Sequence, residues 1–124
     1  MASTPEAKVK DKIKKIIKDA GGYYALPVMT GMAQNGTPDI LACIKGTFLG
    51  IEAKAGRGKV TKIQVVQLRK IDAAQGLAVV VNEKNLDAFK ELVNAMVEGD
   101  SEFLLRVWQA NCNALTAGWL TEGA

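Results

Sequence analysis

Thr37-Pro38-Asp39-Ile40-Leu41-Ala42-Cys43-Ile44-Lys45-Gly46-Thr47-Phe48-Leu49-Gly50-Ile51-Glu52-Ala53-Lys54 is the stretch that decides the architecture. Two apolar runs, 40–44 and 47–51, flank Lys45-Gly46, which reads as the tip of a β-hairpin. If the hairpin is symmetric about that tip, opposed residue numbers sum to 91, so Ile44 faces Thr47 and Asp39 faces Glu52. Directly opposed side chains lie about 4.5–5.5 Å apart at Cβ and share one face of the sheet. Two carboxylates so placed repel each other unless a cation lies between them. Lys54, two residues beyond Glu52, projects from the same face. An acid pair with a neighbouring lysine is the equipment for a hard divalent metal ion and the water it activates.

Each half of that pattern has a plainer reading. A Glu-x-Lys in a strand is commonly an exposed polar face, and Pro-Asp before a strand is commonly a turn signal. The shared register makes Asp39 and Glu52 metal ligands instead, with the backbone carbonyl of Ala53 a natural further donor for octahedral Mg²⁺. Lys54 either orients or deprotonates the attacking water and neutralises charge on phosphorus, or forms a simple salt bridge to Glu52 or Asp39. Gln64, three residues after Thr61, either completes a capping box or makes a polar contact to the metal-bound water or to phosphate. Glu6 either serves the first turn of its helix, with Ser3, or reaches the site from the buried side. Arg57, Lys59 and Lys62, on or beside a glycine-rich connection, are candidate phosphate contacts, and Lys10, Lys14 and Lys18 extend that surface.

Outward from the hairpin, residues 5–20 have the pattern of an amphipathic helix, with Val9, Ile13, Ile16, Ile17 and Ala20 on one face. Ser3 or Thr4 caps it, Pro5 suits its first turn and Gly21-Gly22 ends it. Residues 23–28 read as a short strand with Pro27 near an edge or end, and 29–38 as a loop. After the hairpin a helix is predicted over 61–75, with Ile63, Val66, Ile71 and Ala74 at helical spacing and Gly76 as its stop. Leu77-Ala78-Val79-Val80-Val81 does not alternate, which predicts a strand covered on both faces and interior to the sheet. Asn82 or Asn85 opens a further helix carrying Leu86, Phe89, Val93, Met96 and Val97, and Gly99-Asp100 breaks it. Leu104, Trp108, Cys112, Leu115 and Trp119 recur at helical intervals, so the tail from 102 reads as helix that either completes the core or packs on a second subunit. The sum is an α/β domain: a small mixed β-sheet flanked by helices, in the order αβββαβα, with an additional C-terminal helix.

Composition narrows the chemistry. The 124 residues suit a single domain over 1–124, with a core at about 5–98 and an extension over 100–124. The chain has no histidine, which removes Ser-His and Cys-His nucleophiles, histidine nucleases and most catalytic zinc sites. No run approaches the roughly 18–20 apolar residues of a membrane span, and the first residues do not resemble a signal peptide. Two cysteines, Cys43 and Cys112, fit a reducing cytoplasm, with Cys43 expected as a packed thiol and a single bridge left open. Residues 1–70 carry 13 Lys/Arg against 5 Asp/Glu, and residues 71–124 carry 3 against 8. The cationic half suggests a polyanionic partner, although a solvated lysine face on the first helix explains part of it.

These residues resemble the PD-(D/E)XK nuclease superfamily and, within it, the VRR-NUC group. The likeness is carried by Glu6, Gly36-Thr37-Pro38-Asp39-Ile40, Ile51-Glu52-Ala53-Lys54 and Thr61-Lys62-Ile63-Gln64, and spans about residues 5–82. The name-giving Val-Arg-Arg stretch has its loose counterpart in Ala78-Val79-Val80-Val81, which lacks arginine. The resemblance implies a restriction-endonuclease-like core and a Mg²⁺- or Mn²⁺-dependent nuclease. In it Asp39 and Glu52 are ligands, Lys54 stands beside the nucleophilic water, and Gln64 and Glu6 support them. It also implies a bacterial or phage setting and a homodimer acting on branched DNA such as four-way junctions or flaps. The resulting expectation is a DNA endonuclease that prefers shape to sequence, since no base-reading element is evident. A non-catalytic nucleic-acid-binding module is the rival, and a structural protein with surface carboxylates the third reading.

Overall fold

A computed structural model describes residues 4–28 and 35–116. Its elements run α1 (Pro5–Asp19), β1 (Tyr23–Ala25), β2 (Ile40–Ile44), β3 (Thr47–Ala53), α2 (Lys62–Ala73), β4 (Leu77–Val81), α3 (Leu86–Glu98) and α4 (Ser101–Thr116). The sheet order is β1-β2-β3-β4, antiparallel except for the parallel β3–β4 pair that α2 connects. A parallel pair needs a long crossover, and the basic loop plus α2 supplies it. The architecture is therefore the mixed α/β arrangement expected, with α4 as the extra helix. Among the described residues no helix is long and apolar enough to cross a membrane.

The hairpin register is the predicted one. Ile44 pairs with Thr47 and Ile40 with Ile51. At the tip Lys45 (φ 51°) and Gly46 (φ 84°) both take left-handed conformations, the geometry of the tight two-residue turn whose twist matches paired strands. Alternation then sorts β2 and β3 onto two faces. Ile40, Ala42, Ile44, Leu49, Ile51 and Ala53 join Val79 and Val81 of β4 on one face, against Val9, Ile13 and Ile17 of α1 and Phe89, Leu92, Val93 and Met96 of α3. Fully burying each of the Val, Leu, Ile, Phe and Met side chains among them contributes about 1.5–3 kcal/mol. On the other face, Leu68 of α2 packs on Ala78 and Val80, flanked by Val60, Val65 and Ile71. Helix α2 approaches closely at Gly50, where a Cβ would stand 2.4 Å from Ile71 Cδ1.

Helix α1 begins at Thr4, whose hydroxyl accepts the Ala7 N–H, while Ser3 lies outside the described residues. Strand β1 is shorter than expected, ending at Ala25 before Pro27, and loop residues 29–34 and Trp119 also fall outside the description. Asn85 is the N-cap residue of α3, and its amide nitrogen donates to Val80 and Ala114 carbonyls, tying β4 to α4. Gly99 (φ 76°) ends α3 as predicted.

Three expectations fail. Helix α2 does not bury Ile63, Val66 or Ala74: Ile63 is 53% and Val66 50% exposed, and Ala74 is exposed as well. The inward stripe is instead Gln64, Val65, Leu68 and Ile71, because polar Gln64 faces a buried partner on β3 and rotates the helix accordingly. Strand β4 ends the sheet order rather than lying inside it; its burial comes from α2 on one face and α3 and α4 on the other. Cys43 is exposed, not packed, because α2 covers β3 and β4 but not β2 on that face, and both cysteines are free.

Candidate active site

Pro38 is buried at the entrance to β2 and fixes Asp39 one residue before the first ladder pair. Extending the register by that one residue sets Asp39 opposite Glu52, on the face that α2 covers. The Asp39 Oδ2 atom accepts the Ala53 N–H at 2.9 Å. Its Oδ1 lies 3.6 Å from the Lys10 ammonium, which also sits 3.5 Å from Glu6 Oε2.

Glu52 is only 2% exposed. Its Oε1 accepts a hydrogen bond from Gln64 Nε2 at 3.1 Å, and its Oε2 is buried without a hydrogen-bond partner among the described residues. Burial is the main reason its pKa rises from 4.5 to about 9; the adjoining Asp39 carboxyl adds to the rise, Glu6 adds a little, and only Lys54 opposes it. An orphaned carboxylate oxygen in such a place is costly unless a proton or a cation meets it.

Gln64 completes the capping box and also reaches Glu52. Thr61 N–H donates to Gln64 Oε1 at 2.9 Å and Gln64 N–H to Thr61 Oγ1 at 3.3 Å, which closes the capping box while the Gln64 amide nitrogen holds Glu52. The first turn of α2 is thereby joined to the acid pair. A cavity of about 330 Å³ opens over the pair, lined by Thr37, Asp39, Glu52, Thr61, Ile63 and Gln64. Its far wall is held by Gly36, left-handed at φ 79° and so close to α2 that a Cβ would lie 2.7 Å from the Ile63 carbonyl oxygen.

Lys54 extends the β3–β4 ladder through its N–H to the Val81 carbonyl at 3.0 Å. It makes no ion pair among the described residues, and its charge acts on Glu52, so the simple salt bridge is not formed. Arg57, Lys59 and Lys62 are exposed on the connection and at the start of α2. That connection is anchored where Gly56 N–H donates to Glu83 Oε1 at 2.6 Å. Lys14 pairs with Asp11 at 3.1 Å on the α1 surface. Glu6 shares Lys10 with Asp39, and its charge adds a little to the rise at Glu52.

The donors present suit a hard divalent cation. Two carboxyl groups share one face, one oxygen lacks a hydrogen-bond partner among the described residues, and the cavity above has room for water. The described residues contain no cluster of three or more acidic, cysteine or histidine ligands. A cation held here would need backbone carbonyl, water or phosphate oxygen to complete its shell. Sequence reasoning did not foresee Lys10 among the carboxylates, because nothing along one chain says which sheet residue a helix crosses.

No protein-family model matches this sequence, and no curated protein matches it. Among solved structures, the chain is similar to one described as a VRR_NUC domain, with a TM-score of 0.49 and 24% sequence identity, over 68% of this chain and 92% of that one.

Proposed function

We propose that this protein is a Mg²⁺- or Mn²⁺-dependent nuclease that hydrolyses DNA phosphodiester bonds. The observation that carries this reading is the buried, partnerless Oε2 of Glu52 beside Asp39 under an open polar cavity. Asp39, Glu52 and the Ala53 carbonyl are the groups that would hold the cation. A divalent cation bound there supplies Lewis acidity, which activates water and stabilises charge on the phosphate. The chain's own residues perform the rest. Gln64 fixes the rotamer of Glu52, and Lys54 borders the pair with a cation that no ion pair among the described residues consumes. That placement suits aligning the nucleophile or neutralising charge that develops on phosphorus. Arg57, Lys59 and Lys62, exposed on the connection and at the start of α2, grip the backbone of the substrate.

Such contacts report backbone shape rather than base identity, so branched or otherwise deformed DNA is the preferred substrate class in this reading. Each chain offers one acid pair, and symmetric scission of two strands then requires two copies, as in a homodimer.

The test is a cleavage panel over linear, flap, nicked and four-way DNA, with an RNA arm, in Mg²⁺, Mn²⁺ or EDTA. Cleavage should require a divalent cation, vanish in Asp39→Ala, and be lost in Lys54→Ala without loss of binding. Intact substrates throughout, with salt-sensitive binding retained, would instead assign the chain to a non-catalytic binding module.

A further inference from the structure

The two oxygens of Asp39 are not equivalent. Oδ2 is held by the Ala53 N–H, a donor fixed in the strand backbone. Oδ1 faces the Lys10 ammonium, which sits at the end of a flexible four-carbon stem and is shared with Glu6. A divalent cation drawn to Asp39 meets that ammonium as a like charge a few ångströms away. The strand cannot yield, but the lysine can. Lys10 already borders a second cavity of about 210 Å³, lined also by Leu26, Pro27, Thr37, Pro38 and Asp39, which leaves it room to move.

We infer that Lys10 is a built-in competitor of the divalent cation, bound to Asp39 from α1 and displaced toward this second cavity when the cation takes the carboxylate. The inference rests on the metal-site reading above and adds to it a residue that sets cation affinity without being a ligand. Lys10 is thus a positioning residue. Its loss should tighten cation binding, whereas the loss of a ligand or of a supporting contact would weaken it.

The experiment is calorimetric titration of Mn²⁺ alone into the wild type, Lys10→Met, Lys10→Arg and Lys12→Met. It is run at fixed ionic strength in an alkaline buffer, where proton competition at the carboxyl groups is weakest. Methionine keeps the length of the stem, and Lys10→Gln carries the test if the methionine variant fails to fold. Lys12 is exposed on the same helix and controls for the general loss of one positive charge. Lys10→Met should bind Mn²⁺ about three- to tenfold more tightly, with Lys10→Arg and Lys12→Met within about twofold of the wild type. Unchanged or weaker binding by the Lys10 variants, or an equal gain in Lys12→Met, overturns the inference. Absence of Mn²⁺ binding by the wild type, with Asp39→Asn indistinguishable from it, overturns the metal site itself. The two failures are therefore told apart.

Discussion

Gln64 Nε2 donates to Glu52 Oε1 at 3.1 Å while Gln64 Oε1 accepts the Thr61 N–H at 2.9 Å. One amide thus closes the start of α2 and holds the buried acid of β3. Replacing it with leucine removes both bonds and strands a second oxygen of Glu52, with an expected loss of about 1–3 kcal/mol in urea unfolding. Gln64→Glu keeps the acceptor for Thr61 but sets carboxyl against carboxyl. Its melting temperature should rise more on adding Mn²⁺ than that of the wild type.

The raised pKa of Glu52 makes stability depend on pH. Without divalent cations the folded protein retains a proton on Glu52 up to about 9, whereas the unfolded chain releases it near the ordinary 4.5. The native state binds more protons in that window, so this group's contribution is full below 4.5 and is lost as pH rises through about 9. The slope is at most about 1.4 kcal/mol per pH unit. Glu52→Gln should flatten this dependence in urea melts across the window. Divalent cations should stabilise the wild type increasingly toward alkaline pH, since binding them expels the proton.

Gly36→Ala probes the wall of the cavity. The position is left-handed, and a Cβ would crowd both the Ile63 Cγ2 methyl and the Ile63 backbone carbonyl, which cannot yield as a flexible side-chain tip would. A loss of about 1–3 kcal/mol is expected by thermal melting, together with weaker cation binding because Asp39 follows three residues later.

Removal of Arg57, Lys59 or Lys62 should weaken binding to every DNA substrate to a similar degree. Each neutral variant should also lower the slope of log affinity against log salt by about one, read by fluorescence anisotropy. A variant that alters preference among sequences instead would show that the residue contacts bases.

The hairpin and its acid pair were legible because strand period and turn chemistry are local rules: Lys45-Gly46 set the register, and the register set Asp39 against Glu52. The core faces of α1 and α3 were legible for the same reason, their apolar residues recurring at helical spacing. Helix α2 was not, since hydrophobic periodicity cannot tell that Gln64 turns inward to a buried carboxyl while Ile63 and Val66 turn out. The terminal place of β4 was hidden as well, because coverage by helices from both sides gives the same unbroken valines as an interior position. Exposure of Cys43 depends on how far α2 extends over the sheet, a tertiary fact. The nearness of Lys10 to Asp39 depends on where α1 crosses, which no spacing encodes.

The two-residue reversal at Lys45-Gly46 also limits how this protein can change length. One extra residue in either arm, unless absorbed as a bulge, would send an acid to the opposite side of the ribbon. Growth or trimming by matched pairs at the tip would leave both acids where they stand. Drift in the size of this ribbon should therefore proceed in even steps.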